Sequence, residues 1–117
     1  MQIIGYPEDH VDFVSKSGSA DSVYFGDSEK KVEDFFGPSH TQLDDAVQYF
    51  NNSVTIHFED GKVSAVTVDP RKSDENIEVY VGKEKLTGLS PDELEEAVKN
   101  HGVAVHFGEE LQTFTFS

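Results

Sequence analysis

The stretch from Val54 to Val68 constrains the fold more than any other part of the chain. Val54, Ile56 and Phe58 alternate with Thr55 and His57, and the run Val63 to Val68 is rich in β-branched residues that suit a pleated, half-buried surface. Asp60-Gly61 separates the two runs, and this dipeptide favours a type I′ turn, in which both central residues take φ > 0. A two-residue loop pairs Glu59 with Lys62, Phe58 with Val63 and Ile56 with Ala65. That register puts Val54, Ile56, Phe58, Val63 and Ala65 on one face and Thr55, His57, Ser64 and Val66 on the other. Val66 and Val68 make the second face less polar than a fully solvated one.

An apolar sheet face must be covered, and the residues just before the hairpin offer a cover. A helix is predicted over about 27–36, with Asp27 or Ser28 as N-cap and Glu29 favoured by the helix dipole. Val32, Phe35 and Phe36 fall at i, i+3 and i+4, Gly37 suits the C′ position and Pro38 ends the helix. A helix this short holds only by packing, so Phe35 and Phe36 are expected in the core against the hairpin. Leu43 and the acidic pair Asp44-Asp45 follow, then Val47, Tyr49 and Phe50 as a strand ending at the turn pair Asn51-Asn52.

Elsewhere the signals are shorter. Residues 1–25 carry the apolar runs Ile3-Ile4, Val11 to Val14 and Val23 to Phe25, with a weak alternation at Val11 and Phe13 and a Ser-rich loop between. Ile77, Val79 and Val81 alternate as a strand, and Gly82-Lys83 turns it toward Lys85-Leu86. A second helix is predicted over 91–101: Ser90 and Glu93 form a capping box, Pro91 sits at N1, and Leu89 and Leu94 form a hydrophobic staple. Leu94, Ala97, Val98 and His101 share its apolar face and Gly102 closes it. Val103 to Phe107 and Leu111 to Phe116 read as a final hairpin whose last strand is an edge. The expectation is a single α+β domain over 1–117, mainly antiparallel sheet with two short helices packed on it. Its two halves, about 22–69 and 77–116, share the order strand, helix, hairpin. Pro70 to Asn76 is the polar break between them.

Charge bears most directly on function. The chain has 23 acids against 9 bases, a formal net charge of −14, which repels nucleic-acid phosphates and anionic membranes and speeds capture of basic partners. Ordinary solubility and adaptation to high salt are the competing explanations. Nine Phe and four Tyr supply core mass at this charge, which favours a folded chain over a disordered one. There is no cysteine, which excludes disulfides and thiol chemistry. No apolar run approaches the roughly 20 residues of a bilayer span, and the N-terminus has neither a basic start nor a long apolar region. A cytoplasmic protein of bacterial type is the expectation.

Catalytic and metal motifs are absent: no HxxxH or HExxH, and no GxxxxGK[ST] loop. Among His10, His40, His57, His101 and His106, only His57 and His106 could meet, and only if their strands are neighbours. Ser90 is accounted for as a helix cap. No cofactor or metal is expected, and a small enzyme ranks third among the functional readings. The acids Asp92, Glu93, Glu95 and Glu96 exceed what a helix N-terminus calls for, and with Asp44 and Asp45 they are the candidate partner-binding residues. Tyr49 and Tyr80 are candidate aromatic anchors.

Gly26, Ser28, Val32, Gly37, Pro38, Phe58, Asp60, Gly61, Lys62 and Val63 follow a pattern that resembles the helix-then-hairpin module of BamE/SmpA-like lipoproteins. The resemblance covers under half the chain, rests on structural residues and lacks the lipobox cysteine. It implies a fold element and, as the second functional reading, a structural or assembly module that binds through a sheet edge. The overall profile, small, acidic and cysteine-free, is similar to the immunity proteins that neutralise bacterial toxins. The leading expectation is therefore a non-enzymatic acidic protein that binds and neutralises a basic toxin, a nuclease among the possibilities.

Overall fold

The computed structural model describes residues 1–15, 18, 20–37, 41–49, 53–70, 77–87, 91–101, 104–107 and 112–117, with backbone only at 91, 98–101, 104–107 and 112. The Ser90 capping box, the Leu89 staple, Gly102, the Pro38 stop, the Asn51-Asn52 turn and the start of the last strand at Leu111 lie outside the described residues. In chain order the elements are β1 (Gln2–Tyr6), β2 (His10–Val14), β3 (Ala20–Tyr24), α1 (Glu29–Phe36), β4 (Thr41–Leu43), β5 (Ala46–Tyr49) and β6 (Val54–Glu59). They continue with β7 (Lys62–Val68), β8 (Glu78–Val81), β9 (Glu84–Lys85), α2 (Pro91–His101), β10 (Ala104–Phe107) and β11 (Gln112–Phe116). The protein is α+β. Its described strands form two sheets, ordered β3-β2-β1-β8-β9 and β10-β11-β7-β6-β5-β4, antiparallel except where β1 runs parallel to β8.

The two sheets share one core. Ile3, Val11, Phe13, Val23, Val79 and Val81 line the five-stranded sheet, and Val54, Ile56, Phe58, Val66, Val68, Phe114 and Phe116 line the six-stranded one. The closest approach is at Gly5, where an added Cβ would lie 2.1 Å from Cδ1 of the buried Phe116 ring. Backbone bonds also tie the layers. Gly26 donates to Val63 O at 2.8 Å, Val63 donates to Asp27 O at 2.8 Å, and Glu8 donates to Ser117 O at 2.9 Å. Leu94 and Ala97 bring α2 into the same core. Among the described residues no helix is long and apolar enough to cross a membrane.

Helix α1 starts at Ser28, whose side chain accepts from Lys31 N at 3.2 Å, and ends at Gly37 with φ 77. It buries a narrower stripe than its sequence predicts. Val32 is fully buried and Phe36, one turn on, meets Phe13 of one sheet at 5.1 Å and Tyr49 of the other at 4.9 Å. Phe35 is 39% exposed, so it is not a core residue. A short helix crossing the end of two sheets buries its i, i+4 line, and the i+3 position falls to the side.

The β6–β7 hairpin turns at Asp60 (φ 54) and Gly61 (φ 76), both left-handed as a type I′ turn requires. Its register departs from expectation. Glu59 pairs with Lys62 and Phe58 with Val63, but a bulge next to Phe58 then pairs His57 with Ala65 and Ile56 with Val66. Val66 and Val68 therefore point inward at 0% exposure, and Ala65 joins the outer face. The last strand also differs: β11 lies between β10 and β7 as an interior strand, and β10 is the edge among the described strands.

Candidate functional site

The outer face of the five-stranded sheet gathers groups that lie far apart in sequence. The register sets Tyr6 opposite His10 and His10 opposite Tyr24, so the three side chains form a row across β1, β2 and β3. Tyr6 stacks on His10 at 4.5 Å between ring centroids, with planes 19° apart, and His10 meets Tyr24 at 4.9 Å and 30°. Beyond Tyr24 the Lys31 ammonium sits 5.9 Å from the Tyr24 centroid and 6.0 Å from that of Phe35. Tyr6 (37%), Tyr24 (45%) and Phe35 (39%) are three of the four exposed large hydrophobic side chains among the described residues.

Local chemistry holds each member in place. The β1–β2 turn puts Glu8 in the left-handed region (φ 69) and Asp9 N donates to Tyr6 O at 3.0 Å, which brings His10 back beside Tyr6. The imidazole has a carboxylate at each nitrogen: Asp9 meets Nδ1, and Asp12 Oδ1 lies 3.3 Å from Nε2. Ser22 Oγ donates to Asp12 Oδ1 at 2.5 Å and fixes that carboxylate. Asp27 holds Lys31 over the rings at 3.2 Å and also accepts from Tyr24 N at 3.0 Å. That second bond occupies a backbone donor on edge strand β3, which makes the edge a poorer template for strand addition.

A second polar group continues across β8 and β9. Glu78 accepts from Tyr80 OH at 3.1 Å and from Gln2 Nε2 at 3.4 Å, with Lys85 Nζ at 3.6 Å. The Tyr80 hydrogen bond first, then the Lys85 charge, lowers the Glu78 carboxyl below its ordinary range, and the same hydrogen bond raises the Tyr80 phenol. Where β1 and β8 end, Gly5, Tyr6, Pro7, Val81, Gly82, Lys83 and Glu84 line an open notch. Tyr6 therefore belongs both to the row and to the notch.

The residues singled out in sequence are dispersed. Asp92, Glu93, Glu95 and Glu96 are exposed on α2, which lies beside β10 at one edge of the six-stranded sheet. Asp44 and Asp45 are exposed in the β4–β5 turn at the opposite edge, so the two acidic groups do not form one surface. Tyr49 is a core residue at 4% exposure, with its OH donating to Gly37 O at 3.2 Å. Burial, then the nearby Glu33 charge, raises its phenol. Tyr80 is half-buried on the same outer face as Tyr6 and Tyr24, which places three of the four tyrosines there. Sequence reasoning missed Tyr6, His10, Tyr24 and Phe35. The signal was Tyr6 and His10 flanking the Pro7-Glu8-Asp9 turn, since facing residues of a hairpin become neighbours.

His57 and His106 do not lie on neighbouring strands. Their strands β6 and β10 are separated by β7 and β11, about 14 Å at ordinary strand spacing. His57 instead shares a hydrogen bond with Thr67 Oγ1 at 3.0 Å, and Thr67 one with Thr115 Oγ1 at 3.0 Å. Burial lowers the His57 pKa from its ordinary 6.5, so the native state favours the neutral ring and the unfolded chain binds more protons in mildly acid solution. The His57 contribution is accordingly complete above pH 6.5 and is lost as pH falls through the native pKa. In urea midpoints measured from pH 7.5 downward, His57→Gln is expected to flatten the decline below about pH 6.5.

The chain matches no protein-family model, no curated protein and no solved structure. Fold and site define a class: an α+β protein of two packed sheets that carries an aromatic and basic row on one outer face.

Proposed function

We propose that this is a non-enzymatic binding protein that captures a basic protein partner on the outer face of its five-stranded sheet. Its most concrete form is an immunity protein that occludes a basic bacterial toxin. The observation that carries the reading is the contiguous row of exposed Tyr6, Tyr24 and Phe35, edged by Asp9, Asp12 and Asp27. Tyrosines packed against rigid neighbours lose little entropy on binding and are favoured as interface anchors, and the half-buried His10 and ion-paired Lys31 already hold these rings. The net charge of −14 acts at longer range. The α2 acids and Asp44-Asp45 serve as dispersed steering charge, which raises the association rate without touching the partner.

The test is direct binding to the product of the neighbouring reading frame in the source genome. The expected partner is basic, its affinity falls at least about tenfold between 50 and 300 mM salt, and Tyr24→Ala costs about 2 kcal/mol of binding. Replacing Asp92, Glu93, Glu95 and Glu96 together by their amides is expected to slow association with little change in dissociation. An acidic partner, or an affinity indifferent to salt, rejects the proposal.

A further inference from the structure

We infer that the outer face of the six-stranded sheet seats a second copy of this chain, the two sheets packing face to face across a two-fold axis. The outer face of the five-stranded sheet carries Asp12, Glu78 and Lys85. The six-stranded sheet differs. Its register aligns Gln48, Thr55, Thr67 and Thr115 in one half-buried row across β5, β6, β7 and β11. A second row aligns Leu43, Ala46, His57 and Ala65 across β4 to β7. In a chain with 27% charged residues, charge around these rows is confined, among the described residues, to the strand ends. Asp44, Asp45, Glu59 and Lys62 sit at the turns, and Asp69 is buried.

The charge pattern selects the occupant. At a net charge of −14 two copies repel, and contact through carboxylate-bearing surface would add close like-charge pairs. This face adds none, whereas a basic partner finds no carboxylate on it to pair with. Its groups are also self-complementary. Hydroxyl and carboxamide groups both donate and accept, so the Thr and Gln row can satisfy the same row turned by a two-fold. These side chains are already fixed: Gln48 Nε2 donates to Thr55 Oγ1 at 3.1 Å, and Thr67 Oγ1 lies 3.0 Å from both His57 Nε2 and Thr115 Oγ1. The second row alternates large and small. A two-fold along the strands, between β5 and β6, reverses that row and sets Leu43 and His57 of one copy over Ala65 and Ala46 of the other. Leu43, at 48% exposure, is the one exposed large hydrophobic among the described residues that lies outside the Tyr6 row. Four overlapping strands span about 19 Å by about 17 Å, a small contact that fits a weak, reversible dimer.

Sedimentation equilibrium of the full chain, from about 10 µM to about 1 mM, tests the assignment through a dimer constant expected on the order of 100 µM. Raising salt from about 50 to about 500 mM should tighten the dimer at least about threefold, because it screens the repulsion between two acidic copies. That sign is opposite to the one expected for the basic partner. Ala65→Glu and Thr55→Glu each put a carboxylate on the face and should leave a folded monomer at every concentration, with folding checked by thermal melts. Ala20→Glu, on the exposed edge strand of the other sheet, should leave the dimer intact. A wild type that stays monomeric at the highest concentration and salt overturns the proposal. So does a dimer that survives both Thr55→Glu and Ala65→Glu, or one that loosens as salt rises. Amide shifts at Thr55 and Thr67 that follow an added basic partner, and not the protein's own concentration, give the face to that partner and also overturn it.

Discussion

Gly5→Ala is expected to destabilise the protein by about 3 kcal/mol, the upper end of what overpacking costs. The backbone at Gly5 is not left-handed, so alanine meets no conformational obstacle and in a strand would ordinarily gain about 0.5–1 kcal/mol over glycine. Space decides the sign. The new methyl would lie 2.1 Å from one carbon of the Phe116 ring and 2.2 Å from another, and a fully buried ring has nowhere to retreat without parting the sheets. Phe116→Leu alone should cost about 1–2 kcal/mol for the lost contacts and partial void. The pair is expected to be better than the sum by about 2 kcal/mol, because the smaller side chain makes room for the methyl. Urea unfolding of the wild type, both single variants and the double variant gives the coupling. A strictly additive cycle would show that Gly5 and Phe116 do not set the spacing between the layers.

The same contact illustrates what was legible in the sequence. Locally encoded features could be read: the Ser28 cap, the Asp60-Gly61 turn, the alternation of β8 and the helical pattern of α2. Long-range pairing left no such mark. Ile3-Ile4 read only as a short apolar run, yet β1 is the middle strand of its sheet and runs parallel to β8, with Ile3 facing Val79. A parallel pair needs a distant crossover, so nothing near Ile3 announces its partner. The candidate site was missed for the same reason. Tyr6, His10 and Tyr24 become one row only when two hairpins are in register, and each alone is an ordinary strand residue. Acid clusters were visible in sequence, but closeness along the chain is not contiguity on a surface. The α2 acids and Asp44-Asp45 ended at opposite edges of one sheet.

Val66→Asp is expected to unfold the protein, and Ala65→Asp to shift stability by no more than about 1 kcal/mol. An unbroken two-residue hairpin would reverse these expectations, because it places Ala65 inward opposite Ile56 and Val66 outward. The bulge changes the parity. Phe58 faces Val63 while His57 faces Ala65, which leaves Ser64 as the extra residue, its Oγ donating to His57 O at 3.3 Å. Beyond it Val66 pairs with Ile56 and with Phe116, all three fully buried. A carboxylate there must stay ionised without a partner or bind a proton, and either cost rivals the roughly 5–15 kcal/mol that holds a domain of this kind together. The sequence carries the reason in plain form: Val63, Val66 and Val68 are spaced three and then two apart, with the small Ser64 and Ala65 between the first pair. Strict alternation cannot bury all three valines, and a one-residue bulge can, so burial selects the bulge over the simpler ladder. Deleting Ser64 should therefore keep the fold while removing the kink: Val63 and Ala65 become adjacent in the chain, and Ala65 to Val68 retain their inward and outward places. Thermal melts of the three variants separate the two registers, since only the bulged one tolerates a charge at position 65 and not at 66.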